Sequence, residues 1–224
     1  MSETNRLKFV PAATMQDDGL SEEDLARSDL YGLIAECLTA PPTDDFFNRL
    51  ASSTPPKEDD QTDLGRAWRD LLRASLQRQP EAARDEYDSL FVAVGKPLVA
   101  LHASVYLAGA LNQQPLVTLR HDLAEFGIES TNAVTETEDH VSVLFEVMRF
   151  LIAPSSSPVK TLTQQHAFFS RHIGPWMTAL FDAISEQPDA YFYRAVADLG
   201  RAFIEIERQA FDIYSASIDA IDPS

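Results

Sequence analysis

The chain has 224 residues, 45% of them hydrophobic and 24% charged, a composition that belongs to globular proteins and excludes wholesale disorder. Against 18 Lys and Arg stand 35 Asp and Glu, a net charge of -17, which argues against a nucleic-acid backbone or an anionic membrane as partner. It favours a basic partner such as an arginine-bearing peptide, although acidity is also what keeps many proteins in solution.

Residues 1–20 read as a loose arm and lack the basic region plus apolar run of a secretory signal. Ser21 and Asp24 have capping-box spacing, with Leu20 and Leu25 placed as a hydrophobic staple. That helix carries Leu30, Leu33, Ile34, Cys37 and Leu38 and stops at Pro41-Pro42. The single cysteine, Cys37, allows no internal disulfide or multi-thiolate metal site, and its apolar stripe predicts an inert buried thiol. Thr43 can cap a short helix with Phe46, Phe47 and Leu50, after which 52–63 reads as an exposed acidic linker.

Leu64, Ala67, Trp68, Leu71, Leu72 and Leu76 define the next helix. Pro80 opens another, with Ala83, Tyr87, Leu90 and Phe91 inward. A turn is expected at Val94–Pro97, then an uncharged stretch in which 104–108 reads as a short helical turn. Its His102, Asn112, Gln113, Gln114 and Pro115 make it a poor membrane span. Pro115 opens a helix with Leu116, Leu119, Leu123 and Phe126 inward, closed by Gly127. After a polar connector comes the most apolar helix, ended by the prolines at 154 and 158. Leu162, Phe169 and Ile173 lead to a kink or restart at Gly174-Pro175, and Trp176, Leu180, Phe181 and Ile184 continue. The last and longest helix runs from Phe192 to Ile213, with 217–224 frayed.

No segment alternates as a strand must; the nearest, Phe91–Val94, is short and ends at Gly95. The prediction is all-α, one globular domain of nine or ten helices over 21–216. Two subdomains divided at 52–63 would leave one of them too small a core. A cytoplasmic protein without stable membrane insertion follows, monomeric by preference, with domain exchange through the last helix as the alternative.

The apolar helix is the centre of the chain. Val141, Leu144, Phe145, Met148, Leu151 and Ile152 fill one side, and Val143, Val147 and Phe150 add a second. Thr135 or Thr137 can cap it, which puts Asp139 and His140 in its first turn at the rim of the core. Histidine titrates near neutrality and a carboxylate can orient its ring. Adjacent helix positions diverge, however, and Glu136, four residues before His140, is its better partner. Glu146, in so apolar a helix, must be paired or reach a cavity. No serine elbow or Cys-His pair supplies a nucleophile, so no catalytic residue is assigned.

No metal site is expected either. There is no His-Glu-x-x-His or repeated Glu-x-x-His, His166 and His172 diverge on a helix, and His102 and His121 have no local acidic partner at ligand spacing. Isolated Gly95, Gly109 and Gly127 exclude a phosphate loop, and no cofactor is implied. Binding fits better. Tyr87, Leu90 and Phe91 lead into the uncharged segment, and the acidic start of the central helix follows. Brought together they make an apolar groove with an acidic rim, suited to a basic, hydrophobic peptide. Plain core would show the same spacing.

Glu86-Tyr87-Asp-Ser-Leu90-Phe91-Val92, with Gly95 and Ala103-Ser104-Val105-Tyr106 after it, resembles the TorD/DmsD/NarJ family of redox-enzyme maturation chaperones. Glu138-Asp139-His140 with Glu146 and Met148 resembles that family's second signature, Phe169-x-x-His172-Ile-Gly-Pro175-Trp176 its third, and Asp29–Gly32 its first helix. The matches come in order from about 25 to 214. The resemblance implies an all-helical cytoplasmic chaperone, not an enzyme. It would bind the twin-arginine signal peptide, and the apo form, of a molybdenum or tungsten oxidoreductase catalytic subunit, holding it from export until the cofactor is inserted. Tyr87, Leu90 and Phe91 carry over as groove walls, Tyr31 as a further wall, and Asp139 and His140 as the polar contact. Ser104 and Tyr106 carry over from the loop motif.

Tyr87 stands where tryptophan is frequent, Thr137 where proline is, and His102-Ala103 replaces a proline-rich approach with its glutamate. Client preference of the 97–106 loop is therefore open. Formate dehydrogenase is the favoured client among several. The alternatives are a maturation factor for a client kept in the cell, such as a nitrate reductase subunit, a cofactor-pathway enzyme, and a purely structural helical subunit.

Overall fold

The structure is a computed structural model that describes residues 21–57, 59–92, 96–111, 113–128, 137–153 and 162–221. Among them are ten α-helices and one π-helical turn, with no strand beyond a single antiparallel bridge between His102 and His140. The helices are α1 (Glu22–Thr39), α2 (Asp44–Ala51), α3 (Asp63–Gln77), α4 (Pro80–Phe91) and α5 (Ala103–Ala108), followed by α6 (Gln114–Glu125) and α7 (Val141–Ile152). After α8 (Leu162–Phe168) and the π turn (Phe169–Ile173) come α9 (Gly174–Ser185) and α10 (Phe192–Ile221). The all-α expectation holds, and no described helix is long and apolar enough to cross a membrane. The arm before residue 21, Leu20 of the staple, Thr135, Glu136, Gly95 and the prolines at 154 and 158 lie outside the described residues.

The chain forms two compact units whose boundaries fall at 35/36, 101/102 and 173/174 rather than in the 52–63 stretch. The first holds most of α1 with α5, α6, α7, α8 and the π turn. Its centre is α7, where every residue but Glu146, Arg149 and Phe150 is buried. Tyr31 of α1 is fully buried with its ring edge-on to Phe145 at 5.1 Å. Ser21 caps α1, its Oγ accepting the Asp24 N–H at 3.0 Å and donating to the Asp24 carboxylate at 2.9 Å.

The second unit is built on α10, which packs against α3, α4 and α9. Gly200 lets α9 approach, since a Cβ there would fall 2.3 Å from the Phe181 ring. Thr43 and Thr62 cap α2 and α3 through the N–H groups of Phe46 and Gly65. The 52–63 stretch is tied to α3: Trp68 Nε1 donates to the Thr54 carbonyl at 3.2 Å and Arg69 to those of Lys57 and Asp60. Helix α10 continues to Ile221, beyond the point where its periodicity ended.

Two local expectations are corrected. The central helix starts at Val141, so Asp139 and His140 precede it instead of forming its first turn. Thr137 does not cap it; its hydroxyl donates to the Asp139 carboxylate at 2.5 Å. The expected break at Gly174-Pro175 takes the form of the π turn just before it. Pro175 has no N–H for the carbonyl four residues back, and a wide turn shifts the hydrogen-bond ladder ahead of it.

Candidate functional site

In the first unit an open cleft of about 370 Å³ lies among α5, α6, residue 139, α7 and the π turn. Leu107, Ala108, Pro115, Leu119 and Leu144 form its apolar side; Asp139, Arg171 and His172 are the ionisable residues lining it. Leu107 keeps 41% of its surface exposed, and Leu111 and Val117 nearby in sequence keep 50% and 57%. Such a cluster on a short hairpin of helices leaves apolar surface uncovered.

Asp139 organises this region through its hydrogen bonds. Its side chain accepts the Ser104 N–H at 2.9 Å while its carbonyl accepts that of Ala103, also at 2.9 Å. Helix α5 has no side-chain cap of its own, His102 giving none, so a carboxylate 35 residues away supplies it. Burial would raise the Asp139 carboxyl, but contacts with Ser104 and Thr137 and the nearby His102 outweigh it and hold it below the ordinary carboxylate range.

His140 caps α7. Its Nδ1 accepts the Ser142 N–H at 3.3 Å and lies 2.8 Å from Ser142 Oγ. An accepting Nδ1 places the proton of the neutral ring on Nε2. The His102 ring stands edge-on to it at 5.0 Å. Ser104 and His140 are buried, while Tyr106 is half-buried and has its hydroxyl pushed up to about 12 by burial.

A second polar cluster joins α6 to the π turn. Asp122 Oδ2 accepts from Arg171 and from His172 Nε2, each at 2.7 Å. Burial raises the Asp122 carboxyl, but these two partners outweigh it and the net shift is downward. Burial lowers His172, and the upward pull of Asp122 does not restore it. Neutral His172 therefore donates and ionised Asp122 accepts. Sequence reading set His172 among the resemblance motifs but missed Asp122 and Arg171, because 50 residues separate the histidine from its carboxylate.

Tyr87, Leu90 and Phe91 belong to the second unit. Tyr87 and Phe91 stack edge-on at 5.1 Å and share Tyr193, 5.9 and 5.1 Å away. Tyr87 and Leu90 are buried and Phe91 is half-buried, whereas Val92 and Leu98 are exposed. Glu86, beside them, accepts the N–H groups of Tyr191, Phe192 and Tyr193 on one carboxylate oxygen and so caps α10. Of the predicted site residues, Ser104, Asp139 and His140 thus meet in one unit with Tyr106 on the same short helix. Tyr31 sits in that unit's core, and the Tyr87 trio lies in the other unit.

Glu146 is paired as its setting required, with both oxygens 2.9 and 3.0 Å from Arg149. The Arg149 guanidinium lies over Gly32, where a Cβ would come within 2.9 Å of it.

A family model described as the nitrate reductase delta subunit matches residues 57–182, more than half of the chain. The chain belongs to the nitrate reductase delta subunit family. The matched span takes in Glu86–Phe91, Ser104, the Asp139-His140 pair and the π turn. The chaperone protein TorD of Vibrio cholerae serotype O1 is 27% identical over 205 residues, covering 86% of this chain and 85% of that one. TorD of Photobacterium profundum is 27% identical over 144 residues, 61% of this chain and 66% of its own. The crystal structure of a candidate redox enzyme maturation protein from Archaeoglobus fulgidus shares the fold. Its TM-score is 0.53 at 17% identity, over 81% of this chain and 93% of that one. By its family model and its sequence likeness the chain stands in the broad superfamily of TorD-like chaperones.

Proposed function

We propose that this protein is a cytoplasmic chaperone, not an enzyme, that binds the twin-arginine signal peptide and apo form of a molybdenum or tungsten oxidoreductase subunit. It delays export of that subunit until the cofactor is in place. The reading is carried by the cleft of the first unit, an open apolar hollow with an ionised carboxylate among its lining residues, in a chain whose relatives are named chaperones. Leucine-rich walls suit the apolar stretch of such a peptide, and a net charge of -17 draws its arginines.

The roles divide by position. Leu107 and its apolar neighbours contact the peptide. Asp139, His140 and Ser104 hold α5 and α7 in place around it, and Tyr31 supports α7 from within. Tyr106 adds a half-buried aromatic edge on α5. In the second unit exposed Val92 and Leu98, with half-buried Phe91, offer an apolar surface for the body of the client, and buried Tyr87 and Leu90 support it from within. Formate dehydrogenase is one such client.

The test is a titration of the purified chain with a leader peptide in its natural form and with the arginine pair replaced by alanines. Selective loss of affinity supports the reading; equal binding removes its electrostatic part. A second reading is favoured by the family description itself: a maturation factor for a nitrate reductase subunit that stays in the cell. Co-purification of the client from the native host separates the two, because a client without an arginine-pair leader belongs to the second.

A further inference from the structure

Helix α6 carries His121, Asp122 and Glu125, whose nearest ligand atoms all lie within 4.8 Å of one another. His121 Nδ1 is 3.6 Å from Asp122 Oδ1 and 3.8 Å from Glu125 Oε1. The sequence reading gave His121 no acidic partner, yet Glu125 stands four residues on, the spacing at which helix side chains meet. Two ligands on one zinc ion at ordinary bond lengths stand about 3.3 Å apart, so small side-chain movements close the set. His121 and Glu125 are exposed and free to make them.

Asp122 is already fixed. Its Oδ2 is held by Arg171 and His172, while Oδ1 is the oxygen nearest His121. A carboxylate oriented by outside donors is the support that metal ligands commonly have. The Arg171 charge opposes a cation here, but it contacts the other oxygen. Two carboxylates, Asp122 and Glu125, stand against the one guanidinium.

We propose that His121 Nδ1, Asp122 Oδ1 and Glu125 Oε1 form a surface site for a divalent cation of borderline softness, with zinc as the type. One imidazole and two carboxylates match zinc, and solvent completes the coordination. Calcium and magnesium, which demand six or more oxygens, match the set poorly. Asp122 joins the site to Arg171 at the cleft, so the cation would sit one carboxylate away from the peptide-binding surface. The site itself does not depend on the chaperone reading.

The experiment is a calorimetric titration of the full chain, free of any affinity tag, with zinc chloride near neutral pH. One saturable site is expected, weakened about tenfold or more by His121→Ala and by Glu125→Gln. His166→Ala, on α8, leaves it unchanged, and excess magnesium chloride does not displace the zinc. Both altered α6 side chains are exposed, and circular dichroism verifies that the helix persists. Wild-type affinity in either α6 variant, displacement by magnesium, or no saturable binding at micromolar zinc would overturn the assignment.

Discussion

Asp139 and Ser104 are joined across 35 residues by a buried hydrogen bond from the Ser104 N–H to the Asp139 carboxylate, 2.9 Å long. That bond fixes the start of α5, and α5 is one wall of the cleft. Asp139→Ala strands the Ser104 N–H and the Thr137 hydroxyl, and should cost about 1–3 kcal/mol in urea unfolding. Asp139→Asn, which keeps an acceptor, should cost less. Equal stability of wild type and Asp139→Ala would mean that α5 holds itself.

The same carboxylate sets a pH dependence. Its folded pKa lies below the ordinary value of 3.8, so the folded state binds its proton less readily than the unfolded chain. The stabilisation is complete above about 3.8 and disappears as pH falls through the lowered folded value. The difference in unfolding free energy between wild type and Asp139→Asn should therefore be constant from neutrality to about pH 5 and shrink below that. A difference that grows on acidification would contradict the sign.

Glu86 and α10 offer a second case of distant capping. One oxygen takes the N–H groups of Tyr191, Phe192 and Tyr193 at 3.0, 2.9 and 3.2 Å. Glu86→Ala removes the acceptor from three donors at once and should destabilise by about 2 kcal/mol or more. Hydrogen exchange is the direct measurement: the amides of 191–193 should lose protection before the rest of α10 does.

Two helix glycines should respond oppositely to alanine. At Gly200 the new methyl meets the Phe181 ring, which is fully buried and cannot withdraw, so a loss of about 1–3 kcal/mol is expected. At Gly32 it meets only the far end of Arg149, and a gain in helix propensity of up to about 1 kcal/mol opposes the displaced contact. Thermal melts of both variants decide this; a larger loss at Gly32 would show that the Glu146–Arg149 pair matters more than its exposure suggests.

Periodicity sufficed where a helix buries a face along its own length. Helices α3, α7 and α10, the Thr43 cap and Gly127 with its φ of 70° were legible because cause and effect lie within a few residues. Leu76 of α3 and Ile206 and Ile213 of α10 nonetheless prove exposed, and the late part of α10 buries Ile204, Glu207 and Phe211 instead. What escaped were effects carried across the fold. Helix α7 starts later than its local pattern suggests because Asp139, in a turn, and extended His140 are held by residues 102–104, which lie far off in sequence. The Asp122–His172 pair was missed for the same reason. The His121–Glu125 pair is different, since its spacing was on view in the sequence.

The proposed function requires that the cleft between α5 and α6 receive the client peptide. Thr118 lines it and is half-buried, so Thr118→Trp fills the hollow without changing charge. The deciding measurement is the binding of a twin-arginine leader peptide to this variant and to wild type by calorimetry, beside a thermal melt of each. A loss of affinity of at least about tenfold with folding intact is expected; unchanged affinity in a folded Thr118→Trp protein would rule the cleft out as the peptide's seat.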